Sequence, residues 1–399
     1  MTTDSQPGRA YSYLMMVGHI CCDMSQAAVP ALLPFLVAQR GIDYAAAAGL
    51  MFANTSISSL IQPLLGMIAD RKQMHWLMGL GILMSGLGIA AIGFLDSYWS
   101  IFAATMFAGI GGAVFHPEGG RMANYVAGEK KGRGMSTFAA GGNLGFVVGP
   151  ATITLAVSMW GIGGIPVTQI PVLIMAIVFF CMQKKFVHIS NIAKSSEKEK
   201  AAGGENKDDW NSFLRLCVSI FARSIVQSGL QTFIPLYWVS VLLQTQQQGA
   251  LMVTVMAIAS TVAAFVGGRL ADRFGFRRII RTAIAAIAPL TILMLITKNV
   301  WIATVIVIPL MVMLNLAHSP SVVLGQKYLP NRLGFASGVT MGLYVSVGGI
   351  LSPLLGVVGD DYGLTTALYV VAGVALAGFF GALLIRNPKN TVVNVKEVC

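Results

Sequence analysis

Gly66–Arg71, which reads GMIADR, and Gly268–Arg273, which reads GRLADR, are two copies of one short motif, 202 positions apart in a chain of 399 residues. Twelve long apolar stretches accompany these copies, six in each half of the sequence. Further residues return at nearly the same offset: His116 as His318, Pro34 as Pro235, and Pro150 as Pro353. Duplicated membrane halves usually carry a substrate site at their interface, which opens to each side of the membrane in turn. The repeat therefore predicts a transporter.

The composition excludes a soluble protein. Hydrophobic residues make up 55% of the chain and charged residues only 11%, whereas soluble domains carry about 25% charged residues. The formal net charge of +11 lies in short clusters between apolar runs, which does not favour a nucleic-acid surface. The five cysteines show neither a CxxC pair nor metal-ligand spacing, so we expect no metal site built on them.

Each apolar stretch is long enough to cross a bilayer, which takes about 20 residues. The sequence predicts an all-α membrane protein with two pseudo-symmetric six-helix bundles, residues 1–183 and 212–399, joined by a cytoplasmic linker at 184–211. The linker is rich in Lys, Glu, Gly and Asp, which is typical of a flexible tether. The predicted spans are 11–38, 45–68, 76–95, 99–127, 134–160, 165–183, 212–240, 250–268, 279–297, 300–327, 334–358 and 364–385.

The orientation follows from the placement of positive charge. With the N-terminus inside, all of the 27 Lys and Arg except Arg40, Lys298 and Arg223 fall on the cytoplasmic side or near cytoplasmic helix ends. The positive-inside rule then places both termini in the cytoplasm. No cleavable signal peptide is evident at the N-terminus. We expect a multi-pass protein of the bacterial cytoplasmic membrane.

The second copy of the repeated motif continues as Phe274-Gly275-Phe276-Arg277-Arg278. It resembles the signature loop of the major facilitator superfamily, although Phe276 stands where the family has Arg, and Gln73 replaces the second Gly in the first copy. Gly permits close helix approach, Asp favours a neighbouring helix N-terminus, and Arg can pair with acids or lipid phosphates. We expect a latch that holds one side shut, formed by Gly66, Asp70, Arg71, Gly268, Asp272 and Arg273; the alternative is anchoring by charge alone.

The fifth span reads Gly141-Gly-Asn143-Leu-Gly145-Phe-Val-Val-Gly149-Pro150, which resembles the glycine-proline motif of drug/proton antiporters in that superfamily. We expect Gly145, Gly149 and Pro150 to contribute to gating. Together with Gly18–Asp23 and Val114–Ala123, this motif resembles the fosmidomycin-resistance branch, a group of bacterial exporters. The Arg typical of the fourth helix of many proton antiporters would fall near Thr105 and is absent, so that mechanism is not carried over.

Ionisable residues are rare in the predicted spans, and those in the first half cluster near mid-membrane. Charges at this depth usually face a cavity or a partner. Asp23 and His19 lie one turn apart on one face of the first helix, so we expect Asp23 to bind a proton and His19 to relay it; the alternatives are a buried structural acid and its partner. His116 and Glu118 share the fourth helix. Two positions correspond to about 200°, so we expect one of them to face the cavity and share the proton site with Asp23 and His19, and the other to pair locally; Glu118 is spaced to pair with Arg121.

The second half supplies candidate substrate ligands. Arg223 is the one Lys or Arg near the middle of a predicted span, and its planar fork suits a carboxylate or a phosphate; the alternative is an ion pair with Asp23 or Glu118. Gln227 extends the same polar stripe by one turn. Helices 1, 4, 7 and 10 line the cavity in the family that the chain resembles. The remaining candidates for substrate contact are Asn143, Asn315 and His318.

These residues predict a proton-coupled exporter of a small anionic or amphiphilic, drug-like compound that works by alternating access. A proton symporter that imports an organic anion is the main alternative, and a divalent metal transporter using His19, Asp23, His116 and His318 is a weaker one. The sequence shows no enzyme motif, no ATP motif and no cofactor motif. We expect protons, membrane lipids and a small molecule as partners, no nucleic acid, and a monomer.

Overall fold

The computed structural model describes residues 7–71, 74–127, 131–197, 208–332, 335–336, 339–340 and 344–386. Within these ranges, the side chains at 7–9, 56–57, 62–71, 131–133, 192–197, 265, 268 and 331 lie outside the description.

Helices account for nearly all of the described chain. The first half contains α1 (Pro7–Arg40), α2 (Tyr44–Arg71), α3 (Trp76–Ile92), α4 (Tyr98–Val126), α5 (Lys131–Trp160) and α6 (Ile165–Cys181). A further helix, α7 (Gln183–Glu197), follows α6. The second half contains α8 (Trp210–Ser240), α9 (Gln246–Phe274), α10 (Phe276–Ile296), α11 (Val300–Leu316), α12 (His318–Tyr328), α13 (Tyr344–Tyr362) and α14 (Leu364–Leu383).

The helices confirm the predicted membrane fold. Ten helical segments of the described chain are long and apolar enough to cross a membrane, with α11 and α12 together forming one of them. The shorter apolar helix α3 occupies the third predicted span. The 19-residue helix α13 occupies most of the eleventh. The predicted tenth helix is in fact two, because Pro320 has no N–H to donate to the carbonyl of Leu316 and the helix breaks at Ala317.

Helix packing repeats between the two halves. In the first half α1 packs on α5, α2 on α4, and α3 on both α4 and α6. The second half shows the equivalent pairs: α8 with α13, α9 with α11, and α10 with both α11 and α14. The contact between the halves has the same symmetry, since α2 packs on α13 and α5 packs on α9. The sequence repeat is therefore a repeat of packed six-helix units.

The turn between α9 and α10 explains one glycine of the repeated loop. Gly275 is the single residue between the two helices and has a φ of +89°. This conformation is unfavourable for a residue with a Cβ, so a connection this short requires Gly. Lys327 lies 4.2 Å from the ring centroid of Phe276, the residue that replaces the family's Arg.

The segment predicted as a flexible linker begins with an ordered helix. In α7, Phe186 is fully buried, and the Ser190 hydroxyl lies 2.9 Å from Nε2 of His75, which immediately precedes α3. Residues 184–197 therefore form a packed helix and not the predicted flexible tether. Phe186 and Ser190 lie four positions apart on one face of this polar helix, and that face packs on the first half.

One end of the molecule is closed by contacts between the halves, and we call it the Asp360 end. The carboxylate of Asp360, at the end of α13, accepts hydrogen bonds of 2.8 Å and 2.9 Å from the backbone N–H groups of Tyr44 and Ala45 at the start of α2. The Tyr44 hydroxyl lies 2.9 Å from the Ser240 hydroxyl. A Cβ at Gly356 would lie 2.5 Å from the Cα of Ala45, so the helices meet without room for a side chain. The charge of Asp360 faces the positive end of the α2 dipole.

We predict that Asp360→Asn weakens closure at this end, because the neutral amide loses the charge-dipole attraction and one of its two acceptor oxygens. The population open at the Asp360 end should rise on the order of tenfold, equivalent to about 1.4 kcal/mol. Distances between spin labels at the exposed positions Ser97 and Lys298 would measure this shift. Asp361→Asn, at the exposed neighbouring position, is the matched control; an equal effect in both variants would refute the assignment to Asp360.

Candidate functional site

A cavity of about 470 Å³ lies between the two halves. Asp23, His116 and Asn143 line it from the first half, and Gln227 and His318 line it from the second. Because its walls come from both units of the repeat, a movement of one half against the other would change access to the cavity. This is the location that the duplicated sequence predicts for a substrate site.

Asp23, on α1, is held between two imidazoles. Its Oδ2 lies 3.1 Å from Nε2 of His19, one turn earlier on the same helix, and its Oδ1 lies 2.9 Å from Nε2 of His116 on α4. Asp23 is only 4% exposed, and what remains accessible faces the cavity. Of the other two residues, His116 also lines the cavity, whereas His19 lies against the protein.

Backbone carbonyls determine which ring nitrogen of each histidine faces Asp23. Nδ1 of His19 lies 2.8 Å from the Phe138 carbonyl, and Nδ1 of His116 lies 2.7 Å from the Gly112 carbonyl. A carbonyl oxygen only accepts hydrogen bonds, so both Nδ1 atoms must carry hydrogen. Each Nε2 is therefore left to share a proton with one oxygen of Asp23.

The wall around these three residues comes from α5 and α4. The ring of Phe138 stacks on His19 with centroids 4.1 Å apart, and Phe115 lies on another side at 5.9 Å. At Gly142 a Cβ would lie 2.7 Å from Asp23 Oδ2 and 2.7 Å from His19 Cε1. Gly142 is therefore needed for space, because any larger residue would displace the carboxylate or the ring.

Glu118 does not reach the cavity. Its side chain is fully buried, hydrogen-bonded to Nδ1 of His75, and ion-paired with Arg121 three positions along α4. His75 connects this pair to Ser190 of α7. The two-residue spacing from His116 turns Glu118 toward α3 and α7, so His116 is the member of the pair that faces the cavity, and Glu118 forms the ion pair with Arg121 that its spacing predicts. Glu118 does not share the proton site of Asp23, and its charge is compensated within the first half.

Arg223, on α8, lies behind the cavity wall and is 2% exposed. Its Nη1 donates to the Leu314 carbonyl at 3.3 Å, and its Nη2 lies 3.1 Å from Nδ1 of His318. The guanidinium carbon lies 4.2 Å from the centroid of the Tyr344 ring. No carboxylate pairs with Arg223 among the residues that the structure describes, so neither predicted ion pair, with Asp23 or with Glu118, is present there.

The other predicted substrate ligands face the cavity. Gln227, Asn315, His318 and Asn143 all line it. The amide of Asn315 donates to Ser260 at 2.9 Å and to the Met311 carbonyl at 3.0 Å, which fixes its orientation. Gln227 Oε1 is buried without a hydrogen-bond partner in the described part of the chain. Gln227 therefore has unused hydrogen-bonding capacity next to the cavity.

The predicted latch residues are only partly visible. The side chains of Gly66, Asp70 and Arg71, and Gly268, lie outside the described residues. Asp272 and Arg273 are exposed at the end of α9, and no ion pair joins either one to another described side chain. Their gating role remains a prediction. Contacts between the two halves are described at the Asp360 end.

The glycines of the fifth span serve packing within the first half. At Gly145 a Cβ would lie 2.7 Å from the Ile20 carbonyl oxygen, and at Gly149 it would collide with the backbone of Met24. α5 therefore rests directly on α1, the helix that carries His19 and Asp23. The gating role predicted for Gly145, Gly149 and Pro150 would have to act through this contact.

Several contributors to the site were not predicted from sequence. His75 and Ser190 hold Glu118, and Tyr44 and Ser240 belong to the Asp360 end. Asp360 could have been noticed in the sequence, because an acidic residue at the end of a span, shortly before Gly363, suggests a contact with the end of another helix. The partner of each of these residues lies far away in sequence, so no local pattern identifies it.

Comparison with known proteins supplies the family. The Major Facilitator Superfamily model matches residues 15–353. The chain belongs to the major facilitator superfamily. This agrees with the resemblance of its repeated loop and with the paired six-helix bundles.

Curated relatives of this superfamily member cover nearly all of its length. It is 29% identical over 394 residues to the MFS-type transporter YfnC of Bacillus subtilis, covering 97% of this chain and 96% of the relative. It is 23% identical over 372 residues to the fosmidomycin resistance protein of Escherichia coli K12, with 93% and 91% covered. The multidrug resistance protein MdtG of Escherichia coli is 23% identical over 390 residues, with 91% of each chain covered.

Solved structures support the fold. A POT family transporter in complex with 5-aminolevulinic acid aligns with a TM-score of 0.75 at 14% identity, covering 94% of this chain and 95% of that one. A bacterial homologue of the human lysosomal transporter Spinster, in an inward-facing and occupied conformation, aligns with a TM-score of 0.69 at 12% identity, covering 96% and 95%. At these identities the likeness concerns the fold alone.

We predict that Gly142→Ala destabilises this superfamily member, because the added methyl group overlaps the Asp23 carboxylate and the His19 ring. Overpacking of this kind costs about 1–3 kcal/mol. The Tm of the purified protein should fall by several degrees. Gly120→Ala on α4 is the matched control, since a Cβ there meets nothing within 4 Å; equal Tm changes in both variants would contradict the steric explanation.

Proposed function

We propose that the protein exports a small, anionic or amphiphilic organic compound in exchange for protons, by alternating access. It would do so in the bacterial cytoplasmic membrane with both termini inside, as the positive-inside rule indicates. The observation that carries the proposal is the His19–Asp23–His116 triad, which meets a cavity shared by both halves. Buried ionisable groups at this depth mark ion and substrate pathways.

The triad geometry corresponds to a definite number of shared protons. Both Nδ1 atoms carry hydrogen, and each Nε2 lies at hydrogen-bond distance from a different oxygen of Asp23. Each contact needs one proton, so two protons shared among three groups satisfy both. Loss of one proton leaves one nitrogen–oxygen pair with two facing lone pairs, which repel. Proton release would therefore weaken either the contact of Asp23 with His116, which joins α1 to α4, or the contact of Asp23 with His19 within α1.

This count supports exchange in opposite directions. With two shared protons, neither imidazole of the triad has a vacant acceptor for a cargo. After one proton leaves, a hydroxyl or amide of the cargo can donate a hydrogen bond to the imidazole nitrogen that has lost its proton. The cargo donor and the proton then compete for the same nitrogen, so protonation weakens this contact and deprotonation restores it.

The cavity lining suits a small cargo that has both apolar and hydrogen-bonding parts. Met51, Met256 and Met311 contribute apolar surface to the wall, and amide and hydroxyl side chains supply most of its polar groups. Such side chains bind hydroxyl, amide and oxyanion groups. The amide and hydroxyl residues that line the cavity are Gln26, Asn54, Thr55, Ser58, Ser59, Asn143, Ser224, Gln227, Ser228, Gln231, Ser260 and Asn315.

The names of two relatives, a fosmidomycin resistance protein and a multidrug resistance protein, support outward transport. Fosmidomycin, which carries a phosphonate, is therefore our first probe. The three ligand atoms of the triad lie within 4.8 Å of one another, a cluster small enough for a metal cation. The hydrogen-bond distances within the triad favour protons instead.

We predict that Asp23→Asn abolishes proton movement driven by fosmidomycin in proteoliposomes, because the amide cannot exchange a proton. The rate of internal pH change should fall at least tenfold, while counterflow of labelled fosmidomycin, which needs no net proton transfer, should persist. Asp361→Asn is the control that keeps the same change of charge away from the cavity. Unchanged coupled flux in Asp23→Asn would remove Asp23 from the mechanism.

The direction of transport separates the proposal from its main alternative. In proteoliposomes with an acidic lumen, an antiporter should accumulate fosmidomycin inside as protons leave. A symporter should accumulate it when the outer solution is the acidic one. Accumulation only in the second condition would establish import and refute export.

A further inference from the structure

His116 and His318 occupy equivalent places in the sequence repeat and both line the cavity, yet their surroundings differ. Nδ1 of His116 faces the Gly112 carbonyl at 2.7 Å, so this nitrogen is a donor. Nδ1 of His318 faces Nη2 of Arg223 at 3.1 Å. A guanidinium nitrogen only donates, so Nδ1 of His318 must accept. The ring hydrogen of a neutral His318 is therefore on Nε2, the opposite arrangement to His116.

We propose that His318 is a fixed hydrogen-bond donor for the oxyanion of the cargo, a carboxylate or phosphonate, and that Arg223 is the positioning residue that fixes it. This inference rests on the proposed function, since it names the group that the transported compound presents to the second half. It assigns the two equivalent histidines to different tasks. His116 exchanges protons with Asp23, and His318 holds the anion.

Arg223 acts through His318 because its own side chain does not line the cavity. It is 2% exposed, its Nη1 is bound to the Leu314 carbonyl, and its guanidinium lies over the Tyr344 ring. His318 and Tyr344 both line the cavity in front of it. The positive charge of Arg223 has no acidic partner in the described part of the chain, so its field favours an anion on the cavity side of His318.

The immediate surroundings of His318 suit an oxyanion. Nε2 of His318 has no protein partner among the described residues, and His318 lines the cavity. Two sources of positive potential or hydrogen-bond donation thus meet at one side of the cavity: Arg223 and His318.

The neighbours of His318 favour its neutral form with hydrogen on Nε2. The charged or titratable groups that face it among the described residues are Arg223 on α8 and Tyr344 on α13. A protonated His318 would have no acceptor for its Nδ1 hydrogen and would place a second cation against the guanidinium. The hydrogen of His318 therefore stays on Nε2 while Arg223 donates to Nδ1.

Nitrogen-15 NMR of histidine-labelled protein tests the assignment directly. The chain has five histidines, so single substitutions identify each signal. We expect His318 to show an unprotonated Nδ1 and a protonated Nε2 from about pH 6 to pH 8. His116 should show a protonated Nδ1. A protonated Nδ1 on His318 in the unsubstituted protein overturns the inference, and this result needs neither a cargo nor a variant.

Variants test the role of Arg223. Arg223→Met should free His318 to titrate and should lower the affinity for fosmidomycin at least tenfold, while the affinity for its neutral phosphonate diester stays unchanged. Arg223→Lys, which keeps a donor and a charge, should restore the Nδ1 acceptor state and part of the affinity. Arg215→Met is the control, since Arg215 lies on the same helix and bonds Asn211 away from the cavity. An unchanged His318 signal in Arg223→Met refutes the positioning role.

The proposed function and this inference fail in different ways. If fosmidomycin neither binds nor moves in the unsubstituted protein, export of this probe is refuted, whereas the NMR signal still decides the state of His318. If Arg223→Met lowers the affinity for fosmidomycin and for its neutral diester equally, Arg223 only supports the cavity wall. The inference then fails, while antiport through Asp23 stands.

Discussion

The carboxylate of Asp23 between two imidazoles is the interaction around which the first half is arranged. A lone charge at this depth would be very costly, so its two oxygens must each meet a donor. His19 comes from the same helix, but His116 must be brought in by α4, and α5 must leave room for both rings. This explains why α5 carries Gly142 at the triad and Gly145 and Gly149 where it rests on α1.

The same constraint explains the placement of the other buried charges. Glu118 is compensated by His75 and Arg121 inside the first half, which keeps it out of the cavity. Arg223 contacts a carbonyl, an imidazole and the face of Tyr344, none of which is negatively charged. One half thus faces the cavity with the carboxylate–imidazole triad, and the other with the positive potential of Arg223, which has no acidic partner among the described residues. Duplication supplied the common frame, and substitutions around His116 and His318 gave the halves different chemistry.

Much of the fold was predictable because membrane helices need long apolar stretches whose length the bilayer sets. The twelve spans and the two-fold repeat follow from hydropathy and residue spacing. The cavity positions of Asp23 and His318 follow from the resemblance to a family whose helices 1, 4, 7 and 10 line the cavity. The break at Ala317 was missed, since Pro320 lies within a span otherwise apolar enough to be continuous. The helix at 183–197 was also missed, because its polar composition resembles a tether unless the pocket that receives Phe186 is known.

Sequence alone determined the class of the protein, the number of spans and the rarity of charge within them, because these depend on local composition. It could not determine which of two nearby groups turns toward the cavity, or which partner each charge finds. His116 and Glu118 are two residues apart, and only the packing of α3, α4 and α7 separates their environments. The tertiary structure alone decided that Asp360 meets the start of α2, 316 positions away from Tyr44, and that Arg223 meets His318. Such contacts depend on how the helices pack together, which local composition does not record.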